Sequence, residues 1–143
     1  MTVRLVALLA CLVVVAGVGA RDTPAKKFAP GDVKVCGVHT CTPLATPALG
    51  PLSDFYYGPH SPAKAPAPAV HAQYFKLTFR NGYVTGVAAG PRFDRFLSFG
   101  VNLEQFHARV WYALPPRVAA ELRDLARRVE PRRLPANIFT LSH

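Results

Sequence analysis

Seven prolines fall between Pro43 and Pro68, at positions 43, 47, 51, 59, 62, 66 and 68. Proline fixes φ and lacks the amide hydrogen that a helix interior or a central strand needs. A stretch so punctuated predicts neither element, so residues 45–72 are expected to form a Pro-rich loop or linker. Its latter part, PHSPAKAPAPAV, should run extended, close to polyproline II. Phe55, Tyr56 and Tyr57 interrupt it. Two roles fit them, pinning the loop to a core or offering an aromatic ligand platform, and the first is favoured. The foldable core is thereby confined to residues 73–141. The whole chain has 143 residues. That is enough for one domain and too few for a barrel enzyme or a full doubly wound nucleotide fold, which take roughly 200 residues or more.

Inside the core the clearest pattern is Tyr74 to Phe79, which alternates and is followed by Asn81-Gly82, the dipeptide best suited to a two-residue type I′ turn. Counting from that turn sets Phe79 opposite Val84, Leu77 opposite Gly86 and Phe75 opposite Ala88 on the expected core face. Thr78 then meets Thr85, and Lys76 meets Val87, on the other face. Gly86 and Ala88 leave room beside Leu77 and Phe75 for another element. Phe96 to Leu103 predicts a half-buried strand, with Leu97, Phe99, Val101 and Leu103 inward and Ser98, Gly100 and Asn102 outward. Ala108 to Leu114 is β-rich but ambiguous, because both alternate sets carry large apolar groups. Glu104 to His107 would join the two as a loop.

Pro115-Pro116 predicts a helix start. Val118, Leu122, Leu125 and Val129 share one face of that helix, with Ala126 at its edge; Arg123 and Arg127 point away, and Glu130-Pro131 closes it. Asn137 to Leu141 could supply a short edge strand or an extended segment. Asp32 to Leu44 reads as a small Cys-stapled hairpin, and residues 21–31 as a flexible basic lead. The expected fold class is α+β: a small antiparallel sheet of about four to five strands, arranged as hairpins and covered by one C-terminal amphipathic helix.

Residues 1–20 hold one cation, Arg4, then an apolar run from Leu5 to about Gly19, with Val18 and Ala20 at the positions a signal peptidase reads. The expectation is a signal peptide cleaved after Ala20 and a secreted or extracytoplasmic protein. Two variants stay open. Residues 5–19 could be retained as a membrane anchor, although the run falls short of the ~20 residues that cross a bilayer comfortably. Alternatively, Leu8-Leu9-Ala10-Cys11 could serve as a lipidation box.

Cleavage would leave two cysteines, Cys36 and Cys41. In an exported chain, two cysteines flanking a tight turn most simply form a disulfide. A redox pair of the thioredoxin type would have two intervening residues rather than four. A metal site on Cys36, His39 and Cys41 would need a fourth ligand that the spacing does not supply. The histidines His39, His60, His71, His107 and His143 are dispersed, with no helix-face pair. No metal and no cofactor are expected. Catalysis has no linear support: no G-x-S-x-G surrounds a serine, there is no glycine-rich phosphate loop, and the carboxylates are few. Ser98, His107 and Asp94 are the trio that adjacent strands and loops could bring together in a hydrolase-like site.

Seventeen Lys and Arg against eight Asp and Glu give a formal charge of +9, which favours anionic partners. Export disfavours genomic DNA among them. Arg117, Arg123, Arg127, Arg128, Arg132 and Arg133 gather near the C-terminus beside Glu121, Asp124 and Glu130. They fit a solvated helix face with internal ion pairs, or an anion-contacting surface, since guanidinium suits phosphate and carboxylate groups. The functional expectation is a small exported, non-catalytic interaction or envelope-associated module with a basic surface for anionic envelope polymer or lipid headgroups. The alternative is an exported enzyme or redox protein whose site has no linear motif.

Overall fold

Nine elements follow one another along the residues described by a computed structural model of the chain, 27–79, 84–99, 106–107 and 109–137. They are β1 (Val33–Cys36), β2 (Cys41–Pro43), α1 (Thr46–Tyr57), β3 (Gln73–Phe79), β4 (Val84–Ala89), β5 (Arg95–Ser98), β6 (Trp111–Ala113), α2 (Pro116–Leu125) and β7 (Arg132–Arg133). The strands form one antiparallel sheet in the order β2-β1-β3-β4-β5-β6, with β7 also pairing β3. The fold is α+β, as the sequence predicts. It has seven strands rather than four or five and a second helix. No helix among the described residues is long and apolar enough to cross a membrane. The leader, the Asn81-Gly82 turn, the 100–105 stretch and residues 138–143 lie outside the described residues.

The second helix corrects the reading of residues 45–72 as loop throughout. Pro47 sits in the first turn of α1, where a missing amide hydrogen costs nothing, but Pro51 lies inside it. An interior proline costs about 3 kcal/mol. Against this, α1 buries Leu49, Leu52, Phe55 and Tyr56 to 8% exposure or less. Each such side chain contributes about 1.5–3 kcal/mol on leaving water. The burial outweighs the proline. Tyr56 is the hub: its ring meets Phe79 at 5.0 Å, Phe106 at 5.2 Å and Phe96 at 5.5 Å. The three aromatics do pin this segment to the core, but as helix residues.

The lead is docked at its described end. The Phe28 ring packs tilted against Phe79 at 4.6 Å, and its amide donates to the Ser53 hydroxyl of α1 at 2.9 Å. Beyond α1 the proline segment is extended and does structural duty as an edge cover. The Ala65 amide donates to the Trp111 carbonyl and the Ala113 amide to the Ala63 carbonyl, so residues 63–65 close the β6 edge of the sheet. Flanking prolines suit such a position, because an edge strand leaves outward amides unpaired.

Both helices cover one side of the sheet. Val33, Val35, Phe75, Leu77, Ala88, Phe96 and Tyr112 pack there with Leu52, Tyr56, Val118 and Leu122, and α1 touches α2. The far side carries a second cluster of Tyr74, Val87, Ala89, Leu97, Trp111 and Leu134. This explains the ambiguity of Ala108 to Leu114: both faces of β6 are covered. It also corrects the strand reading of Phe96 to Leu103. Leu97 belongs to the far-side cluster, while Ser98, expected outward, is buried beside β4 on the helix side.

The β3–β4 hairpin has the predicted register at Phe75–Ala88, Lys76–Val87 and Leu77–Gly86. A bulge then matches one step on β3 to two on β4, so Thr78 meets Val84 instead of Thr85. The room at Gly86 is taken by the Phe96 ring, which a Cβ there would strike. Helix α2 starts at the expected prolines and buries Val118, Ala119, Leu122 and Leu125, but it ends at Leu125 rather than at Glu130-Pro131. Residues 126–128 form a turn that still brings Val129 into the core. The segment Ile138 to Leu141, expected to lie as an edge strand or extended segment, falls outside the described residues; the strand seen in this region is β7, which pairs with β3.

Candidate functional site

The six predicted arginines do not form one patch. Burying Val118, Leu122 and Leu125 turns the opposite side of α2 to solvent, so Arg117 and Arg123 are exposed, as are Arg127 and Arg128 in the turn that follows. Four guanidiniums share that surface with Glu121 and Asp124. Asp124 stands 3.8 Å from Arg127 and 3.9 Å from Arg128. All three side chains are more than half exposed, and such pairs are worth about 0–1 kcal/mol. Arg123 donates to the Arg92 carbonyl at 3.1 Å, bringing a fifth cation, on the 90–93 turn, to the same side. Arg127 and Arg128 also complement the partial negative charge at the C-terminal end of α2.

Arg132 and Arg133 belong elsewhere. In β7, Arg133 pairs with Gln73 and remains exposed, while Arg132 pairs with Tyr74. The Arg132 guanidinium donates to the Gly37 carbonyl at 2.9 Å and lies beside the Tyr74 phenol, its partner in the register. It thereby ties the cysteine hairpin to the sheet. The Val38 amide donates to the Glu130 carbonyl at 2.9 Å, in a contact so close that a Cβ on Gly37 would collide with the Glu130 backbone.

Cys36 and Cys41 are directly paired across β1 and β2, with Cα atoms 4.0 Å apart and sulfurs bonded. Joined in this way, neither offers a thiolate to a metal or a substrate. The trio Ser98, His107 and Asp94 is not assembled. Asp94 immediately precedes β5 and Ser98 ends it, a span of about 13 Å at a strand rise of about 3.3 Å per residue. Asp94 is paired with Arg95 at 3.1 Å, and Ser98 is buried on the helix side. None of the three lines the apolar groove of about 270 Å³ on the far side, which lies between Ala67–Val70, Trp111 and Leu134–Ala136.

A cationic group that the sequence did not reveal lies on that far side. Strand alternation places Thr78, Lys76 and Tyr74 there in a row along β3. Lys34 stands opposite Thr78, Cys36 opposite Lys76, and Arg132 opposite Tyr74. Lys76 thus stands between the other two cations and neighbours each of them. Among the described residues, no carboxylate pairs with Lys76 or Arg132. Burial first, and then the Arg132 guanidinium, holds the Lys76 ammonium below the ordinary lysine range. Burial pushes the Tyr74 phenol above its ordinary range and outweighs the neighbouring Arg132 guanidinium. Only the pairing of both β1 and β7 with β3 brings these residues together, and no linear spacing encodes that.

Comparison with known protein families, curated proteins and solved structures returned no match to this chain.

Proposed function

We propose that this chain is a small exported, non-catalytic module that binds anionic partners outside the cytoplasm through the outward surface of α2. The observation that carries the reading is the exposure of Arg117, Arg123, Arg127 and Arg128 on one surface, with two carboxylates among them and Arg92 alongside. Guanidinium groups in water attract phosphate and carboxylate groups at long range, and arrays of them act together. The apolar leader and the bonded cysteine pair support an oxidising, extracytoplasmic setting. There, the anions within reach are lipid headgroups and envelope polymers.

The test is co-sedimentation of the mature chain with vesicles rich in anionic phosphatidylglycerol, against vesicles of neutral phosphatidylcholine. The chain should pellet with the anionic vesicles at low salt and be released as salt approaches ~150 mM, where screening reaches about 8 Å. Arg123→Glu with Arg127→Glu should weaken binding at every salt concentration. Failure to bind at low salt, or binding indifferent to salt, would contradict the proposal.

A further inference from the structure

We propose that Lys76 and Arg132, with the Tyr74 hydroxyl and with Lys34 on the outer flank of Lys76, form a separate site on the far side of the sheet for a phosphoryl or sulfuryl group. The reasoning begins with the register. Lys76 and Tyr74 are two apart on β3 and share a face; Arg132 is the direct neighbour of Tyr74, and Lys34 is the diagonal neighbour of Lys76. Direct neighbours on a sheet are about 5 Å apart and diagonal ones about 7–8 Å. Lys76 thus lies next to each of the other two cations at spacings that one tetrahedral anion can bridge through long side chains. Lys34 and Arg132 face β3 four positions, about 13 Å, apart and are linked only through Lys76.

Like charges so placed repel, and burial aggravates the cost. Lys76 is half-buried and shows the effect in its depressed proton affinity. Arg132 is not free to swing away, because its Nε is held by the Gly37 carbonyl and its backbone is paired with Tyr74 on β3. A fixed guanidinium beside an ammonium with no carboxylate partner among the described residues is relieved by a bound phosphoryl or sulfuryl anion. Arg and Lys then supply charge-assisted hydrogen bonds, and the Tyr74 hydroxyl supplies a donor. The site lies across the sheet from α2, and its ligand is a compact group, where the helix surface offers only a diffuse field.

Thermal unfolding of the mature chain in sodium phosphate, with sodium chloride at matched ionic strength as reference, tests this site. The midpoint should rise saturably with phosphate and not with chloride, as expected when a ligand binds only the folded state. Lys76→Met should lower phosphate affinity about tenfold, the loss of one charge-assisted contact of about 1.4 kcal/mol. Lys76→Glu, which gives Arg132 an acidic neighbour, should raise the midpoint without phosphate and abolish the phosphate effect. Arg123→Glu with Arg127→Glu should leave the phosphate effect intact, which separates this site from the α2 surface. Equal midpoints in phosphate and chloride, or an undiminished phosphate effect in Lys76→Glu, would overturn the proposal. Competition then identifies the source of the group. Release of wild-type chain from phosphatidylglycerol vesicles by millimolar phosphate, but not by chloride of equal ionic strength, assigns the site to headgroups; no release assigns it to the free ion.

Discussion

At the scale of single residues, Lys76 shows how a sheet can hold a charge at a cost. Its ammonium is half-buried, faces Arg132 and lacks an acidic partner among the described residues, so its proton is held less tightly than in the unfolded chain. The sign of the consequence follows from proton counting. Between the depressed folded value and the ordinary 10.5, the unfolded chain binds more protons at this position, and stability rises with pH. Tyr74 acts in the opposite sense, because its raised phenol keeps a proton above 10.0 that the unfolded chain has lost. Comparing wild type with Lys76→Met cancels the Tyr74 contribution. In chloride buffer the stability of wild type relative to Lys76→Met should increase from pH 8 to pH 10 in urea unfolding; a flat or falling difference would contradict the assignment. Gly86 shows the same dependence on neighbours in apolar form. Its missing Cβ is the space that the Phe96 ring occupies, so Gly86→Ala should destabilise the fold by about 1–3 kcal/mol in the same assay, the range found for overpacked cores.

At the scale of elements, legibility in the sequence followed the strength of local pattern. The alternation of Tyr74 to Phe79 and the prolines before α2 give the β3–β4 pairing and the start and buried face of the helix, because one face of each meets the core. The helix end at Leu125 is not marked, since Val129 continues the apolar spacing beyond it. The bulge at Thr78 had no such mark, since it moves register by one residue without altering composition. Helix α1 was hidden by its own prolines. Ala48, Leu52, Phe55 and Tyr56 do carry a helical spacing, but Pro51 argues against it locally, and the deciding term is tertiary burial. If that burial holds the helix, Tyr56→Ala should cost about 3–5 kcal/mol, the range for removing a large buried side chain. Loss of far-ultraviolet helical signal together with global unfolding would be expected at lower urea. An unchanged midpoint would mean that α1 is held by something other than its aromatic hub. Ser98 was misread for a related reason. A polar residue in an alternating run looks solvent-facing, yet here both faces of the sheet are covered. The α2 arginines were legible from the helix wheel alone. The far-side cations were not, because β1 and β7 reach β3 from distant parts of the chain.

At the scale of the whole molecule, the cysteine hairpin and the residues after α2 fasten each other. Arg132 reaches the Gly37 carbonyl, Val38 reaches the Glu130 carbonyl, and the bond between Cys36 and Cys41 closes the hairpin from within. Removing that bond with Cys36→Ser and Cys41→Ser should cost about 2 kcal/mol, from the small loop it closes. Thermal unfolding would register this, and no change in midpoint would show the hairpin to be held by its neighbours alone. The two cationic surfaces lie on opposite sides of the sheet, so one chain could meet a diffuse anionic surface with α2 while the far side takes a single phosphoryl group. Both roles presuppose that the chain leaves the cytosol. The direct measurement is the intact mass of the protein recovered from culture medium and envelope fractions of expressing cells, before and after reduction. The account expects a chain that begins at Arg21 and gains two hydrogens on reduction. A full-length chain recovered only from the cytosol, with no mass change on reduction, would contradict it.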